Sequence, residues 1–431
     1  MPTVVELATQ AVQSLADAYH AQIKTLITPV YNVVGYGANG DGVTDDTTAI
    51  QAAIDAIPSS GGMLFLPMPT AYYKTTGVLN ISKPIIVQGV GQTESAGVQI
   101  INTNTTGAHV FAVTSQGVAF RDLFIQGTAG GGDGINLTGT VKRYLELTRV
   151  YIKSCQRGIY AGSAAHLIRM TDVTTHSCRA GGFVFSNESS TGLAYIHGTN
   201  CWARANTGHG WDLIGIGEVN LYGCAADENT QYGFSLANVS GVVSGCQCEV
   251  NTQRGFSVDQ SEGLTLANPR TYSQLAPFYV NTSGRVTLIN PITVATPSGN
   301  SLNIGAGVLA VDVINKNFDM PVFDATGTAL TLLDSSGFQL RGGTNISRHL
   351  SAAATLTFAS IPAQSTAELT ITVTGAAVGD TCYATPPGMQ TNLVWCAYVS
   401  AADTVAVRVG NVSAAAITPS AVNWRVDVWK H

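Results

Sequence analysis

Charge is scarce in this sequence of 431 residues, since Asp, Glu, Lys and Arg make up only 11% of it and the formal net charge is −6. The sequence has no cluster of basic residues, which argues against a nucleic-acid partner. No apolar run approaches the roughly 20 residues of a membrane-spanning helix, so no membrane partner is predicted either. The N-terminus lacks a basic segment followed by an apolar one, and we therefore predict no signal peptide.

Cysteine is sparse as well, because eight residues in a chain of this length do not suggest a disulfide framework. Cys246 and Cys248 form a C-x-C pair without a matching second pair, so a zinc site is not expected. We predict that the cysteines are small buried hydrophobic residues. We also predict that the protein needs neither a metal nor another cofactor.

Glycine, in contrast, is abundant at 46 positions, and Val, Thr and Ile are frequent. This combination is typical of β-structure with many tight turns. The chain is too long for one compact core of ordinary size. It should therefore consist of several domains or of a repeat array that grows in one direction.

A strand motif of the form Gly-apolar-x-apolar recurs in the middle of the chain. It begins at Gly134, Gly158, Gly182, Gly210, Gly233 and Gly255, which are separated by 24, 24, 28, 23 and 22 residues. A period in the twenties with short strands predicts a solenoid whose stacked coils bury one another's apolar faces. Four residues before the glycines lies a column of Asn206, Asn229 and Asn251, and stacked Asn side chains can hydrogen-bond along a solenoid.

Residues 3–27 carry apolar side chains at alternating steps of three and four, and Pro29 follows. This pattern predicts a helix within an N-terminal segment of residues 1–28. Two interpretations stay open for this helix. It could pack on its own domain as an amphipathic helix, or it could form the neck of a trimer.

The segment that follows contains a recognisable motif. Asp45, Asp46 and Thr47 can cap a helix with an apolar face, and Gly61-Gly62 and the strand-like run Leu64–Pro67 come next. The run from Gly37 to Asp55 with this continuation resembles the opening of the pectate-lyase-like β-helix superfamily, which includes phage tailspikes and polygalacturonase-type enzymes. The resemblance implies an all-β, single-stranded, right-handed parallel β-helix over residues 29–318, in which Asp45 and Asp46 cap the β-helix and do not catalyse.

The sequence changes character from Ser347 onward. Alternating strands separated by turn residues are predicted at Ala367–Thr374, Asn392–Val399, Thr404–Val409 and Trp424–Trp429. They predict a C-terminal antiparallel β-sandwich over residues 347–431, and leave residues 319–346 as a linker or stem.

The stretch that begins with Ile346–Leu350 and ends with Trp424–Lys430 resembles the C-terminal domains of phage tailspikes. Such domains commonly trimerise or bind sugar. The resemblance implies a tailspike depolymerase that binds and cleaves capsule or O-antigen at the bacterial cell surface. It also implies a homotrimer on the virion tail, joined to tail or baseplate proteins through its N-terminus and synthesised in the host cytoplasm.

A column of charged residues gives a concrete candidate site. Six residues before the aligned glycines stand His176, Arg204, Asp227 and Glu249, and Lys153 falls beside this column if one residue is gapped. The preceding positions hold the small residues Thr175, Ala203, Ala226 and Cys248. Because side chains alternate along a strand, we expect the small residues to face the interior and the charged residues to face water.

The column predicts glycoside hydrolysis by paired carboxylates. Asp227 and Glu249 would lie on neighbouring strands about 4.8 Å apart, near the carboxyl separation of about 5 Å in retaining glycosidases. Mutual repulsion would raise the pKa of one carboxyl, giving an acid and a base or nucleophile. Arg204 and His176 would bind an acidic sugar, and Trp202 would stack on a sugar ring.

Several alternatives stay open. The charges could simply belong to a solvated face on which opposite charges stabilise neighbouring coils. Other acidic residues could form the site, or it could lie in a groove between subunits; these candidates are Asp133, Asp172, Glu188, Asp212 and Glu218. The protein could be a polysaccharide lyase with His176, Arg204 or a Tyr as its base, or a receptor-binding tail protein without catalytic activity.

Overall fold

The computed structural model describes residues 13–14, 29–93, 97–137, 143–162, 165–186, 195–272, 276–294, 300–315, 322–324, 330–334, 337–340, 346, 348–388 and 391–431. The chain divides into two compact units, Met1–Ala329 and Leu330–His431. The predicted N-terminal helix lies outside the described residues except at positions 13–14, which are helical.

The first unit is a right-handed parallel β-solenoid of about 10 turns. The solenoid predicted from the repeats and the parallel β-helix implied by the family resemblance are therefore confirmed. Its coils build a wide sheet and a narrow sheet. The wide sheet contains Val30–Asn32, Gly62–Phe65, Tyr73–Thr75, Ile85–Gln88, Gln99–Asn102, Val118–Gln126, Arg143–Lys153, Ala165–His176, Tyr195–Thr199, Trp202–Arg204, Glu218–Tyr222, Ala225–Asp227, Gly241–Ser244, Gln247–Glu249, Leu264–Ala267, Arg270–Tyr272, Arg285–Ile289, Ile292–Val294 and Ala310–Ile314. The narrow sheet contains Leu79–Ile81, Phe111–Val113, Ile135–Leu137, Ile159–Ala161, Phe183–Ser186, Trp211–Ile214, Phe234–Ala237, Arg254–Asp259, Ala276–Asn281, Leu302–Ile304 and Val322–Asp324.

The repeated glycines lie at the N-terminal ends of the narrow-sheet strands, where successive coils approach closely. A Cβ atom at Gly182 would lie 2.6 Å from the carbonyl oxygen of Gly210, and one at Gly210 would lie 2.8 Å from that of Gly233. The residue after the glycine is aromatic in four consecutive coils, and in the next coil Phe278 follows Pro277 at the equivalent position. These five rings stack at centroid distances of 3.9 to 5.8 Å; they belong to Phe183, Trp211, Phe234, Phe256 and Phe278. The glycine motif therefore combines close coil stacking with an aromatic core.

The column of asparagines is buried and hydrogen-bonded from coil to coil, as predicted. Asn206 Nδ2 donates to Asn229 Oδ1 at 2.9 Å, and Asn229 Nδ2 donates to Asn251 Oδ1 at 2.8 Å. The backbone N–H of Cys178 donates to Asn206 Oδ1 at 2.9 Å, so Cys178 ends this ladder. These bonds satisfy amide groups that would otherwise be costly to bury.

In successive coils of the wide sheet, the residue at the same bend position has the left-handed conformation. We call these residues the bend column; in successive coils they are Asp122, Arg149, Asp172, Asn200, Gly223, Gly245, Asn268 and Asn290, with φ between +47° and +63°. The N–H of Asn200 donates to the carbonyl of Tyr222 and that of Gly223 to the carbonyl of Ser244, so the bends stack directly on one another. Asn and Asp are the side chains that best tolerate this φ, which explains their frequency here.

The short helix Thr47–Ala56 buries Ile50, Ala53 and Ile54, which confirms its predicted apolar face. Asp45 caps it, because its carboxylate accepts hydrogen bonds from the N–H and hydroxyl of Thr47 at 3.0 and 2.6 Å. Asp46 occupies the N-cap position, and its carbonyl oxygen accepts a hydrogen bond from the N–H of Ile50 at 2.9 Å, but its side chain makes no capping hydrogen bond. Its carboxylate instead accepts hydrogen bonds from the N–H groups of Asn39 and Gly40, and it holds the preceding loop.

The second unit contains two three-stranded antiparallel sheets, besides the pair Leu330–Asp334 and Gly337–Leu340. The sheets are Arg348–Leu356, Val422–Lys430 and Thr381–Thr385, and Thr366–Thr372, Thr404–Asn411 and Leu393–Ala401. The predicted antiparallel strands are confirmed, and both sheets contribute to one buried hydrophobic cluster. A complete β-sandwich stays an interpretation.

Candidate functional site

The charged residues of the wide sheet lie side by side in successive coils. Parallel pairing puts Lys153 beside His176, and His176 beside Arg204. Arg204 lies beside Asp227, which lies beside Glu249. We call these five residues the charged column. Its register follows from the one-to-one pairing of strands in stacked coils.

The two carboxyl groups of the charged column have different environments. Asp227 is only 7% exposed, whereas Glu249 is exposed. The pKa of Asp227 is raised from 3.8 to about 6, chiefly by burial and also by the nearby negative charges of Glu249 and Glu228. The expectation that the whole column faces water is therefore wrong for Asp227. Burial also contributes more to its pKa than the carboxylate repulsion that the sequence argument invoked.

Trp202 holds the buried carboxyl group. Its indole Nε1 donates a hydrogen bond to Asp227 Oδ2 at 2.6 Å, which favours the ionised form and lowers the pKa of Asp227 against the effect of burial. Asp227 Oδ1 is buried and accepts no hydrogen bond from any described residue. One oxygen is thus fixed by Trp202, while the other is buried without a partner among the described residues. Stacking of Trp202 on a sugar stays a prediction.

Arg204 is only loosely engaged within the protein. Its Nε atom lies 3.4 Å from Glu228 Oε2, and both side chains are about half exposed. Its guanidinium carbon lies 5.3 Å from the ring centroid of Trp202. Ion pairs with this exposure contribute little to stability, so Arg204 can exchange its partner for an anionic ligand at small cost.

His176 has a partner that sequence reasoning did not single out. The hydroxyl of Tyr151 lies 2.8 Å from His176 Nδ1, and the two rings meet edge to face. Tyr151 stands two residues before Lys153, as Trp202 stands two residues before Arg204. Each aromatic residue hydrogen-bonds to a column residue of the next coil. The signal was therefore present in the sequence as an aromatic residue two positions before the column.

Two of the other acidic candidates lie outside the wide sheet. Asp133 is fully buried and is paired with Arg157, with 2.8 Å between Arg157 Nε and Asp133 Oδ1. This pair has a structural role. Asp212 lies on the strand Trp211–Ile214 of the narrow sheet, so it does not join the charged column.

Two of the remaining candidates, Asp172 and Glu218, lie on strands of the wide sheet. Asp172 belongs to the bend column, and its Oδ1 accepts a hydrogen bond from Asn200 Nδ2 at 2.5 Å. Glu218 begins the strand Glu218–Tyr222 and accepts a hydrogen bond from Asn220. Glu188 lies outside the described residues. Neither Asp172 nor Glu218 pairs with Asp227, whose strand neighbours are Arg204 and Glu249.

A cleft of about 500 Å³ lies beside the bend column. Its lining includes Trp202, so the residue that holds Asp227 also borders this space. The other lining residues are Gln92, Arg149, Asp172, Thr174, Asn200, Cys201, Gly223, Ala225, Gly245 and Gln247. A volume of this size is within the usual range of small-molecule sites.

Six cysteines are buried in the solenoid, as predicted; they are Cys155, Cys178, Cys201, Cys224, Cys246 and Cys248. Burial raises the pKa of the Cys248 thiol well above its ordinary value, so it is a poor nucleophile. The prediction is wrong for Cys396, which is exposed, and for Cys382, which is only partly buried.

Among the described residues, no group of three or more His, Cys, Asp or Glu side chains is placed to hold a metal ion. Within the same ranges, no helix has the length and apolar character needed to cross a membrane.

Comparison with known proteins adds two family matches. Residues 133–291 match the model of the right-handed β-helix region, and residues 30–96 match the model described as rhamnogalacturonase A/epimerase, pectate lyase-like. The first match contains the whole charged column. The second contains the helix and the loop that Asp46 holds.

Individual relatives cover different parts of the chain. Mannuronan C5-epimerase AlgE5 of Azotobacter vinelandii is 42% identical over 72 residues, and this match spans 15% of the chain but only 7% of that protein. The A-module of mannuronan C5-epimerase AlgE4 from the same organism has a TM-score of 0.51 at 18% identity, covering 70% of this chain and 98% of the module. Tailspike protein 2 of Escherichia coli O157:H7 bacteriophage CAB120 has a TM-score of 0.47 at 12% identity, covering 94% and 65%. The parallel solenoid of this chain thus contains a right-handed β-helix region and, before it, a pectate-lyase-like region.

Proposed function

We propose that this protein is a bacteriophage tailspike that binds a bacterial surface polysaccharide, either capsule or O-antigen, and cleaves it by glycoside hydrolysis. The observation that carries the cleavage reaction is the pair of Asp227 and Glu249. Asp227 is buried with its pKa raised to about 6, and its neighbour Glu249 is exposed. A buried carboxyl group with a raised pKa beside an exposed carboxyl group is suited to acid and nucleophile roles.

In this mechanism Asp227 is the general acid. Its proton goes to the glycosidic oxygen of the leaving sugar while Glu249 attacks the anomeric carbon and forms a covalent glycosyl intermediate. Asp227, now ionised, then takes a proton from water as the water releases the sugar from Glu249. Trp202 keeps the acid oriented through its hydrogen bond to Oδ2. Retention requires carboxyl groups about 5 Å apart, which agrees with their positions on neighbouring strands.

The cationic part of the column supports an acidic sugar in the substrate. Lys153, His176 and Arg204 follow one another on one side of Asp227. The weak pairing of Arg204 with Glu228 leaves its guanidinium group able to bind a sugar carboxylate. The similarity to a protein named mannuronan C5-epimerase supports a polysaccharide as the class of substrate.

A polysaccharide lyase is the second candidate, and the contact between Tyr151 and His176 favours it. A hydroxyl 2.8 Å from an imidazole nitrogen can relay a proton, as β-elimination next to a sugar carboxylate requires. Lys153 and Arg204, on either side of His176, would neutralise that carboxylate. The reaction would release an unsaturated product that absorbs ultraviolet light.

The decisive experiment incubates the protein with purified capsule and O-antigen from a panel of bacterial strains. We expect one glycan to be cut to short oligomers with new reducing ends and without ultraviolet absorbance. Asp227→Asn and Glu249→Gln should each lower turnover by several orders of magnitude and leave binding intact. Glu262→Gln, which changes an exposed carboxylate outside the column, is the matched control and should cleave normally.

The other outcomes discriminate among the alternatives. Normal turnover in both column variants would reject this site. An unsaturated product would establish the lyase reaction. Tight binding without new reducing ends from any glycan would favour a receptor-binding tail protein.

We further propose that the protein assembles as a homotrimer on the virion tail. An N-terminal segment of residues 1–28 would join tail or baseplate proteins, and a sandwich of residues 347–431 would trimerise or bind carbohydrate. The low content of charged residues, 11%, supports a solenoid with one long covered face. Sedimentation should give the mass of three chains, and a stable monomer at micromolar concentration would contradict this assembly.

A further inference from the structure

The bend column changes composition beside the proposed acid and nucleophile. It carries side chains at Arg149, Asp172 and Asn200, and again at Asn268, but glycine at positions 223 and 245. The φ angles at the two glycines, +61° and +63°, are close to the +53° and +50° of the asparagines on either side. Since Asn adopts this conformation readily, the backbone does not require glycine there. The missing side chains have another consequence.

The absence of side chains at Gly223 and Gly245 leaves open space beside the bend column. A Cβ atom at Gly223 would meet no described atom within 4 Å, and one at Gly245 would meet only the backbone nitrogen of Gly223, at 3.9 Å. Both glycines line the cleft of about 500 Å³, together with the small side chain of Ala225. Ala225 pairs directly beside Trp202 on one side and Gln247 on the other. Three small residues thus keep the surface next to the indole ring clear.

The lining of the cleft suits an uncharged sugar. Trp202 is 38% exposed and offers an aromatic surface for the apolar face of a pyranose ring. Gln92, Asn200 and Gln247 contribute amide groups that can donate to and accept from hydroxyl groups. The two charged residues of the lining are Arg149, which is held by Asp122 at 2.6 Å, and Asp172, and they are of opposite sign. The formal charges of the lining residues therefore sum to zero, so the lining has no net charge that would select an ionic sugar.

We propose that Gly223 and Gly245 open a subsite for an uncharged sugar residue that packs against Trp202. This subsite proposal rests on the proposed function in one respect, namely that the neighbouring sugar is cleaved at Asp227 and Glu249. Trp202 lies two residues before Arg204 in one strand, or about 6.6 Å from the charged column. A glycan running along the strands would thus place a neutral residue in the cleft and the adjacent residue at the column.

The test fills the cleft without straining the backbone. Gly223→Asn and Gly245→Asn restore the side chain found in neighbouring coils, and both variants should keep the melting temperature of the wild type. Gly263→Asn is the matched control, because Gly263 has φ +70°, meets no described atom within 4 Å of a Cβ and lies outside the cleft lining. Binding is measured on the full chain by saturation-transfer NMR with methyl glycosides of glucose, galactose, mannose and N-acetylglucosamine, and with methyl glucuronide as the charged probe.

We expect at least one neutral glycoside to bind the wild type and Gly263→Asn, and to bind Gly223→Asn and Gly245→Asn at least tenfold more weakly. Trp202→Ala, which removes the aromatic surface without touching either glycine, should lose the same signal. Undiminished binding in the glycine variants, binding of methyl glucuronide alone, or no binding of any neutral glycoside would overturn the subsite. Asp227→Asn separates this proposal from the proposed function. If Asp227→Asn cleaves normally while the glycine variants lose binding, the acid role is rejected and the subsite stands.

Discussion

Replacing Asp227 by Asn should stabilise the solenoid at neutral pH while it removes the proposed activity. Asp227 is 7% exposed, and its pKa is raised from 3.8 to about 6, with burial as the largest cause. The folded protein therefore holds an ionised carboxylate at neutral pH in a place that disfavours its charge. Asn has nearly the same shape and no charge, and its side-chain oxygen can still accept the hydrogen bond from Trp202.

The sign of the effect follows from proton binding. Between about pH 4 and pH 6, the folded chain keeps the Asp227 proton that the unfolded chain has lost. Wild-type stability must therefore fall as the pH rises through this window, and the loss is complete above the folded pKa. A difference of about two pKa units corresponds to about 3 kcal/mol. Asn avoids this loss but retains the cost of burying an amide, so we expect a gain of about 1–3 kcal/mol above pH 7.

Thermal unfolding of the wild type, Asp227→Asn and Glu249→Gln at pH 4 and pH 7.5 measures this gain. The Asp227→Asn variant should melt with the wild type at pH 4 and at least about 2 °C higher at pH 7.5. Glu249 is exposed, so Glu249→Gln should show no such pH-dependent gain. If Asp227→Asn melts at or below the wild-type temperature at pH 7.5, Asp227 is ionised without cost, and the argument for it as an acid fails.

Three further predictions follow from the contacts around the column and in the core. Trp202→Phe removes the indole donor and should therefore raise the pKa of Asp227. The alkaline limb of the pH–rate profile should move up by about one pH unit, and an unmoved limb would contradict the role of the hydrogen bond. Tyr151→Phe should leave hydrolysis within a few fold, whereas a lyase that used this hydroxyl would lose turnover by orders of magnitude in the same cleavage assay. Asn229→Ala should lower the free energy of unfolding by at least about 2 kcal/mol because it leaves buried amides of the ladder unpaired, while Thr230→Ala, at an exposed position, should change it little in denaturant titrations.

The solenoid and its columns could be predicted because stacked parallel coils preserve position. A residue six before one glycine must lie beside the residue six before the next when the strands pair one to one, and Asp227 does lie beside Glu249. The same rule aligned Asn206, Asn229 and Asn251, whose side chains bond in series. Period and alternation together are therefore sufficient to derive the lateral neighbours of a residue in this fold.

The environment of Asp227 could not be derived in this way. Alternation along the strand assigns it to the outer face, yet it is buried because the indole ring of Trp202 in the preceding coil reaches diagonally to it. Such diagonal contacts depend on side-chain length and rotamer, which strand alternation does not determine. The same limit applies to Tyr151 and His176, and to Asp46, whose carboxylate turns back to the loop before it.

The contrast between inner and outer columns indicates where this solenoid can carry function. Inner columns repeat one kind of residue, such as the stacked rings from Phe183 to Phe278, because each member must match the one above and below it in shape or in hydrogen bonding. The charged column has no such requirement and changes residue type in every coil from Lys153 to Glu249. The bend column needs only a residue that tolerates positive φ, so it can alternate between Asn and Gly without cost to the stack. Variation in the outer columns can therefore form a binding surface one coil at a time, while the inner columns keep the fold unchanged.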